Sequence, residues 1–204
     1  MKKLCVFGIF IFIFGFIGCA PSPSQPKSAP KVDGGYSKPV YGSMNHYFGN
    51  LHSHTKYSDG KGTPAEGFKW ARDVAKYDFY ITTDHAEQLS RSEFKKAKEQ
   101  ANSYNQDGRF VALAGFEWSH PLYGHVCVYE TSKHTSAWTK WFLSWFYNWL
   151  DDKNGLAQFN HPGREKLVFN QLKYKSKVAD NFFAIETGNK GTGNNDGDFL
   201  KYFQ

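Results

Sequence analysis

Three cysteines among 204 residues, at positions 5, 19 and 127, are too few and too scattered to staple a small secreted scaffold. Charged residues make up 22% of the chain and never gather into a long block of one sign, which excludes a polyelectrolyte tail or a coiled coil. No basic stripe or arginine-rich helix is present, so the formal charge of +6 argues only weakly for nucleic acid. Lys2 and Lys3 supply part of that excess, and without them it falls to +4. The uncharged, Phe- and Ile-rich run over residues 4–18 has 15 residues, short of the roughly 20 that span a bilayer as a helix. No internal repeat is evident. What the chain does hold is aromatic: 19 Phe, 12 Tyr and 6 Trp within a 40% hydrophobic composition, ample for the packed core of one domain.

Lys2-Lys3, the uncharged run and Gly18-Cys19 together resemble a bacterial lipoprotein signal. The resemblance implies cleavage after residue 18, lipidation of Cys19 and export to the cell envelope, anchored to the membrane through that lipid. Residues 19–45 are rich in Pro, Ser and Gly and read as a flexible tether, with the folded domain over 46–204. Cys5 then leaves with the signal and Cys19 carries lipid, so Cys127 has no intramolecular partner. It lies in the β-branched stretch Val126-Cys127-Val128-Tyr129 and reads as a buried, inert thiol.

Short apolar runs at residues 47–52, 78–83, 110–117, 125–130, 156–160 and 182–186 read as strands. Thr63-Pro64-Ala65-Glu66 is a capping box with Pro at the first helical position and opens a helix to about residue 76. Ser90-Arg91-Ser92-Glu93 opens a second, to about 104. Strand and helix in alternation predict an α/β fold on a parallel sheet with crossover helices, either open or closed into a β/α barrel.

A third helix is expected over residues 136–150. Trp138, Trp141, Trp145 and Trp149 recur there at helical spacing, which predicts a core-facing stripe. An aromatic wall over a ligand pocket and an interfacial face near the lipid anchor are the alternatives. Lys140 is the only charged residue between Thr135 and Leu150, so the helix lacks the basic face that interfacial helices carry.

The histidines carry the chemistry. His52-Ser53-His54 follows the first strand, Asp84-His85 the second, Glu117 ends the third, His125 opens the fourth and His161-Pro162 follows the fifth. In β/α architectures functional residues gather where strands run into loops, so these positions converge in space. Two histidines two apart at a strand end face the same way and can reach one cation. Two cations close together lower the pKa of a bridging water, so hydroxide serves as nucleophile and no Ser or Cys is needed. Mixed imidazoles and carboxylates suit Mn²⁺, Zn²⁺ or Fe²⁺ without choosing among them. His46 and His134 lie outside this pattern and are expected at the surface. Arg164 is placed either to hold an anionic substrate or as a solvated helix residue.

His52-Ser53-His54-Thr55-Lys56-Tyr57-Ser58-Asp59-Gly60 resembles the first motif of the PHP (polymerase and histidinol phosphatase) metallohydrolases. Ile81-Thr82-Thr83-Asp84-His85 resembles the second, Gly115-Phe116-Glu117 the third and Asn160-His161-Pro162 the fourth. The lead-in Tyr47-Phe48-Gly49-Asn50-Leu51 is most similar to the secreted, carbamate-hydrolysing branch, with Asn50 in place of its usual Asp. The resemblance implies a distorted (β/α)7 barrel that binds two or three divalent metals and hydrolyses a small ester, most often a phosphoester. It implies that His52, His54 and Glu117 hold one metal, Glu117 bridging to a second held by His125 and His161, while Asp59 and His85 hold a third. Asp84 is expected to orient a ligand histidine rather than to ligate. His120 is the alternative to His125, which is favoured because it heads an apolar strand while His120 borders a Pro-Leu-Tyr-Gly loop.

The Asp-x-His pair with which the family pattern closes has no counterpart after Glu186. The expectation is therefore a truncated barrel lacking its last strand or strands. An enzyme of this type acting on phosphoesters is the leading reading, with a carboxyl or carbamate esterase on the same metals, or a metal- or ligand-binding lipoprotein without turnover, as alternatives.

Overall fold

The computed structural model describes residues 45–162 and 164–189. The signal, most of the tether, Cys19 and the stretch in which the closing pair was sought lie outside the described residues.

The first half is a parallel βαβαβ unit. Strand β1 (Gly49–Asn50) pairs with β2 (Phe79–Thr82), and β2 with β3 (Val111–Ala114), in register Phe79↔Val111 to Thr82↔Ala114. The crossovers are α1 (Pro64–Asp73) and α2 (Arg91–Tyr104). Both begin where their capping boxes place them: Thr63 Oγ1 accepts the Glu66 N–H at 3.1 Å and Ser90 Oγ accepts that of Glu93 at 3.2 Å. Phe68 and Ala71 of α1 and Ala97 and Ala101 of α2 are buried against Tyr80, Phe110 and Ala112, which covers one face of the sheet.

Strand β4 (Phe116–His120) continues directly from β3 through Gly115. The Gly115 N–H donates to Thr82 O at 2.8 Å, Glu117 N–H to Asp84 O at 3.0 Å, and Ala86 N–H to Glu117 O at 2.8 Å. Residues 111–120 are thus one strand bent at Gly115, passing from the first sheet into the second. A β-carbon there would lie 2.3 Å from Val128 O, so the bend admits only glycine.

The second sheet runs in the order β4, β5 (Gly124–Tyr129), β6 (Leu156–Asn160), β7 (Phe182–Ile185). Here the expectation of parallel strands is corrected: β4–β5 and β5–β6 are antiparallel, and only β6–β7 is parallel. The three-residue turn between His120 and Gly124 is too short for a crossover helix and forces the chain back on itself. Two sheets, parallel and mixed, result, and among the described residues no strand joins β7 to β1 to close a barrel.

The third helix, α3, spans Leu143–Lys153 and so starts seven residues after the expected position. Thr139 Oγ1 donates to Ser136 O at 3.0 Å and accepts the Ser136 N–H at 3.3 Å, which turns the chain before a helix can start. The four-tryptophan core stripe is therefore corrected. Trp138, Trp141 and Trp145 are exposed, and the buried face is Leu143, Phe146, Tyr147 and Leu150, with Trp149 packed at its side. Phe146 stacks on Trp118 with ring centroids 4.4 Å apart and is fully buried. His46 is buried at 3% exposure rather than at the surface, and the His134 ring packs against Phe94.

Replacing Phe146 with Ala is expected to lower the unfolding free energy by about 3–5 kcal/mol. Trp145→Ala, on the exposed side, is expected to change it by no more than about 0.5 kcal/mol. Urea denaturation of both variants checks the contrast.

Candidate metal centre

Glu117, on β4 two residues past the bend, is fully buried and stands at the middle of the histidines. Its Oε1 lies 3.1 Å from His52 Nε2, 3.4 Å from His125 Nδ1 and 3.5 Å from His161 Nε2. Its Oε2 lies 2.8 Å from His85 Nδ1 and 3.7 Å from His54 Nε2. Asn160 Nδ2 donates to Oε1 at 2.7 Å, and Ser119 Oγ donates to Oε2 at 3.2 Å. Burial alone pushes the Glu117 carboxyl up, but the surrounding imidazoles outweigh it and hold Glu117 well below the usual carboxylate range.

Each histidine arrives from a separate piece of backbone. The Ser53 N–H bonds Thr83 Oγ1 at 3.1 Å and Thr83 N–H bonds Ser53 O at 2.7 Å, extending the β1–β2 pairing to the HxH segment. His85 forms an isolated parallel bridge with Glu117. Cross-strand pairing sets His125 opposite Ser119 on one side and Asn160 on the other, one residue before His161. Asp59 lies above, with Oδ1 3.3 Å from His54 Nδ1 and 3.7 Å from His85 Nε2. The Asp59-Gly60 turn needs its glycine, since a β-carbon at Gly60 would lie 2.2 Å from His54 O.

Seven positions singled out from the sequence as ligands, His52, His54, Asp59, His85, Glu117, His125 and His161, thus line one cavity of about 460 Å³. His120 is elsewhere: it is fully buried, stacks on Trp118, and its Nδ1 accepts the backbone N–H groups of Leu122 and Tyr123 at 3.0 and 3.1 Å. Asp84 has both oxygens occupied. Oδ1 accepts Thr55 N–H and Ser58 Oγ–H, each at 2.7 Å, and Oδ2 accepts Thr55 Oγ1–H at 2.8 Å. It therefore shapes the 55–58 turn and reaches His54 through Ser58, whose Oγ is 3.2 Å from His54 Nδ1. Arg164 is exposed at the cavity rim and donates to Asn189 Oδ1 at 3.1 Å.

The donor set suits divalent cations. Four triads, His52–Glu117–Cys127, His54–Asp59–His85, His85–Glu117–His125 and His125–His161–Glu165, each place three ligand atoms within 4.8 Å of one another. His52 and His54 aim their Nε2 atoms at each other across 3.1 Å, and the buried nitrogens His125 Nδ1 and His161 Nδ1 have no hydrogen-bond partner. Burial, reinforced by the His52 and His85 rings, pushes His54 down to about 4 against the pull of Glu117, so it is a neutral donor at physiological pH. Burial opposes charge on His52 too, but the Glu117 and Glu186 carboxylates hold that imidazole above its ordinary range. Burial also raises the Cys127 thiol to about 11, and its Sγ accepts from Asn160 Nδ2 at 3.0 Å, in keeping with an inert sulfhydryl.

Two carboxylates escaped the sequence reading. Glu186, just past β7, contacts His52, and Glu165 lies 3.8 Å from His125 Nε2 and 3.9 Å from His161 Nδ1. The signals were present: Glu186 ends an apolar run as Glu117 does, and Glu165 follows His161 at a spacing of four.

No family model and no curated protein matches the chain. A solved structure from Bifidobacterium adolescentis, described as a candidate metal-dependent phosphoesterase, superposes with a TM-score of 0.55 at 12% identity, over 81% of this chain and 84% of that one. The two share a fold. A two-domain protein from Bacteroides vulgatus, described as containing a predicted PHP-like metal-dependent phosphoesterase, matches over 58% of this chain at 19% identity and a TM-score of 0.43. The present chain spans 36% of that protein's length.

With its thiol raised from 9.0 to about 11, Cys127 is expected to resist alkylation in the folded protein at pH 8–9 and to react once urea exposes it. Mass spectrometry of the Cys127 peptide after iodoacetamide treatment reads the difference.

Proposed function

We propose that the chain is a metal-dependent hydrolase of the PHP type, acting on phosphoesters. The observation that carries this is the single buried carboxylate, Glu117, met by five imidazoles at the mouth of a solvent-open cavity. His52, His54 and Glu117 would hold one ion, Glu117, His125 and His161 a second, and Asp59 and His85 a third; Mn²⁺, Zn²⁺ and Fe²⁺ all suit these donors. Ions so held supply Lewis acidity toward the ester and a water of low pKa.

The chain's own groups prepare the site for that chemistry. Glu117 stays ionised, His54 stays neutral, and Asp84 keeps the 55–58 turn in place under His54. The nearby hydroxyls are engaged elsewhere: Ser53 Oγ donates to Ile81 O at 2.7 Å, Ser58 Oγ to Asp84 and Ser119 Oγ to Glu117. With Cys127 buried as a neutral thiol, no side chain among the described residues is poised as a nucleophile. Arg164 at the rim offers a guanidinium fork to the non-bridging oxygens of a phosphoryl group.

The same reading takes the two sheets as part of a distorted (β/α)7 barrel, bent at Gly115. It also takes the chain as an exported lipoprotein of the secreted, carbamate-hydrolysing branch, held to the membrane by lipid on Cys19 and acting on a small-molecule ester. The Lys2-Lys3 pair, the 15-residue uncharged run and Gly18-Cys19 support the anchor. No helix among the described residues is long and apolar enough to cross a membrane.

Protein loaded with Mn²⁺ or Zn²⁺ is expected to cleave an aryl phosphate faster than an aryl carbamate, to lose turnover on chelation, and to fall at least about 100-fold on His54→Ala. Turnover that survives chelation overturns the metal mechanism, and preference for the carbamate moves the substrate class to carbon esters. In a producing bacterium, Cys19→Ala is expected to shift the protein from the detergent-rich to the aqueous phase on Triton X-114 partition.

A further inference from the structure

Among the described residues, strand β1 is two residues long and hydrogen-bonds only to β2, and β7 hydrogen-bonds only to β6. His52, which follows β1, therefore sits at a sheet edge among those residues. Glu186 reaches across that edge. Its backbone N–H is fixed to Phe159 O at 2.8 Å, while its side chain, 7% exposed, places Oε1 3.2 Å from His52 Nδ1 and Oε2 2.8 Å from the His161 N–H. Asn189 Nδ2 donates to Oε1 at 3.0 Å.

The chemistry of the partners settles the direction of each bond. A backbone N–H and a side-chain amide N–H can only donate, so both Glu186 oxygens act as acceptors. The third group facing them, His52 Nδ1, must then carry the proton. With Nδ1 committed to Glu186, Nε2, 3.1 Å from both Glu117 Oε1 and His54 Nε2, is the nitrogen left to an ion, which would displace any proton held there. Glu186 is not itself placed to bind an ion, because its oxygens are spent on donors and it faces the ring nitrogen turned away from Glu117.

We infer that Glu186 is a positioning residue that holds the Nδ1 proton and the ring orientation of His52 across the edge between β7 and β1, and at the same time docks the His161 backbone, so that one carboxylate aligns a histidine from each edge of the centre. A carboxylate behind a ligating histidine does this in metal sites generally, and its loss costs about 10–100-fold in affinity. The inference rests on the proposed metal-dependent reading but concerns this chain's own residues, and its test separates the two.

The full chain, freed of metal and labelled with ¹⁵N, is examined by long-range ¹H–¹⁵N correlation of its imidazoles. His52 Nδ1 is expected to carry a proton in the wild type and in Glu186→Gln, whose amide oxygen still accepts, and to lose that preference in Glu186→Ala. Calorimetric titration with Mn²⁺ is expected to show one ion bound about 10–100-fold more weakly in Glu186→Ala, with Glu186→Gln between it and the wild type. An unchanged His52 Nδ1 proton in Glu186→Ala, or wild-type affinity for every ion in both variants, overturns the proposal. If Glu186→Ala does not fold, Glu186→Gln decides: wild-type Mn²⁺ affinity overturns the assignment, and selective weakening of one ion upholds it. A wild type that binds no Mn²⁺ overturns the functional reading, while the Nδ1 proton measurement still decides the role of Glu186.

Discussion

A carboxylate with no solvent exposure is a costly thing to fold around unless compensating charge and hydrogen bonds surround it. Glu117 is such a group, and much of the structure serves to surround it. Five imidazoles, Asn160 and Ser119 face its two oxygens. They come from the loops after β1 and β2, from β4 itself, from β5, and from the end of β6. No two adjacent strands could furnish them all. The need to bring five backbone segments to one point explains why a short chain is folded into two sheets sharing one bent strand.

Around this centre lies a second circle of acceptors. Glu186 stands behind His52, Asp84 acts behind His54 by way of Ser58, and Glu165 faces the outer nitrogens of His125 and His161. His52 and His54, each hydrogen-bonded at the nitrogen turned away from Glu117, are constrained in rotation, and such restraint would reduce the reorganisation that ion binding requires.

The residues that converge on the cavity were legible in the sequence because their spacing and their place at strand ends are local properties. Both capping boxes were legible for the same reason. What escaped was decided by partners remote in sequence or by competing local bonds. The 136–142 segment has helical tryptophan spacing, but hydroxyls at Ser136 and Thr139 bind the backbone and delay α3 to Leu143. Antiparallel β4–β5 pairing depends on the short turn before Gly124, which the apolar pattern does not encode. His46 is buried by tertiary packing that no local motif announces. Glu186 gained its meaning only when β7 was placed beside β6.

The bend at Gly115 has a consequence for how such a chain can vary. Because β3 and β4 are one strand paired to β2 as far as Asp84 and Ala86, the first sheet's register also sets which face Glu117 presents. Adding or removing one residue between Ala114 and Glu117 would turn that carboxylate to the opposite face and set an apolar neighbour among the imidazoles. Length is free to drift in the turns; along this one strand, the first sheet acts as the ruler against which the candidate metal centre is measured.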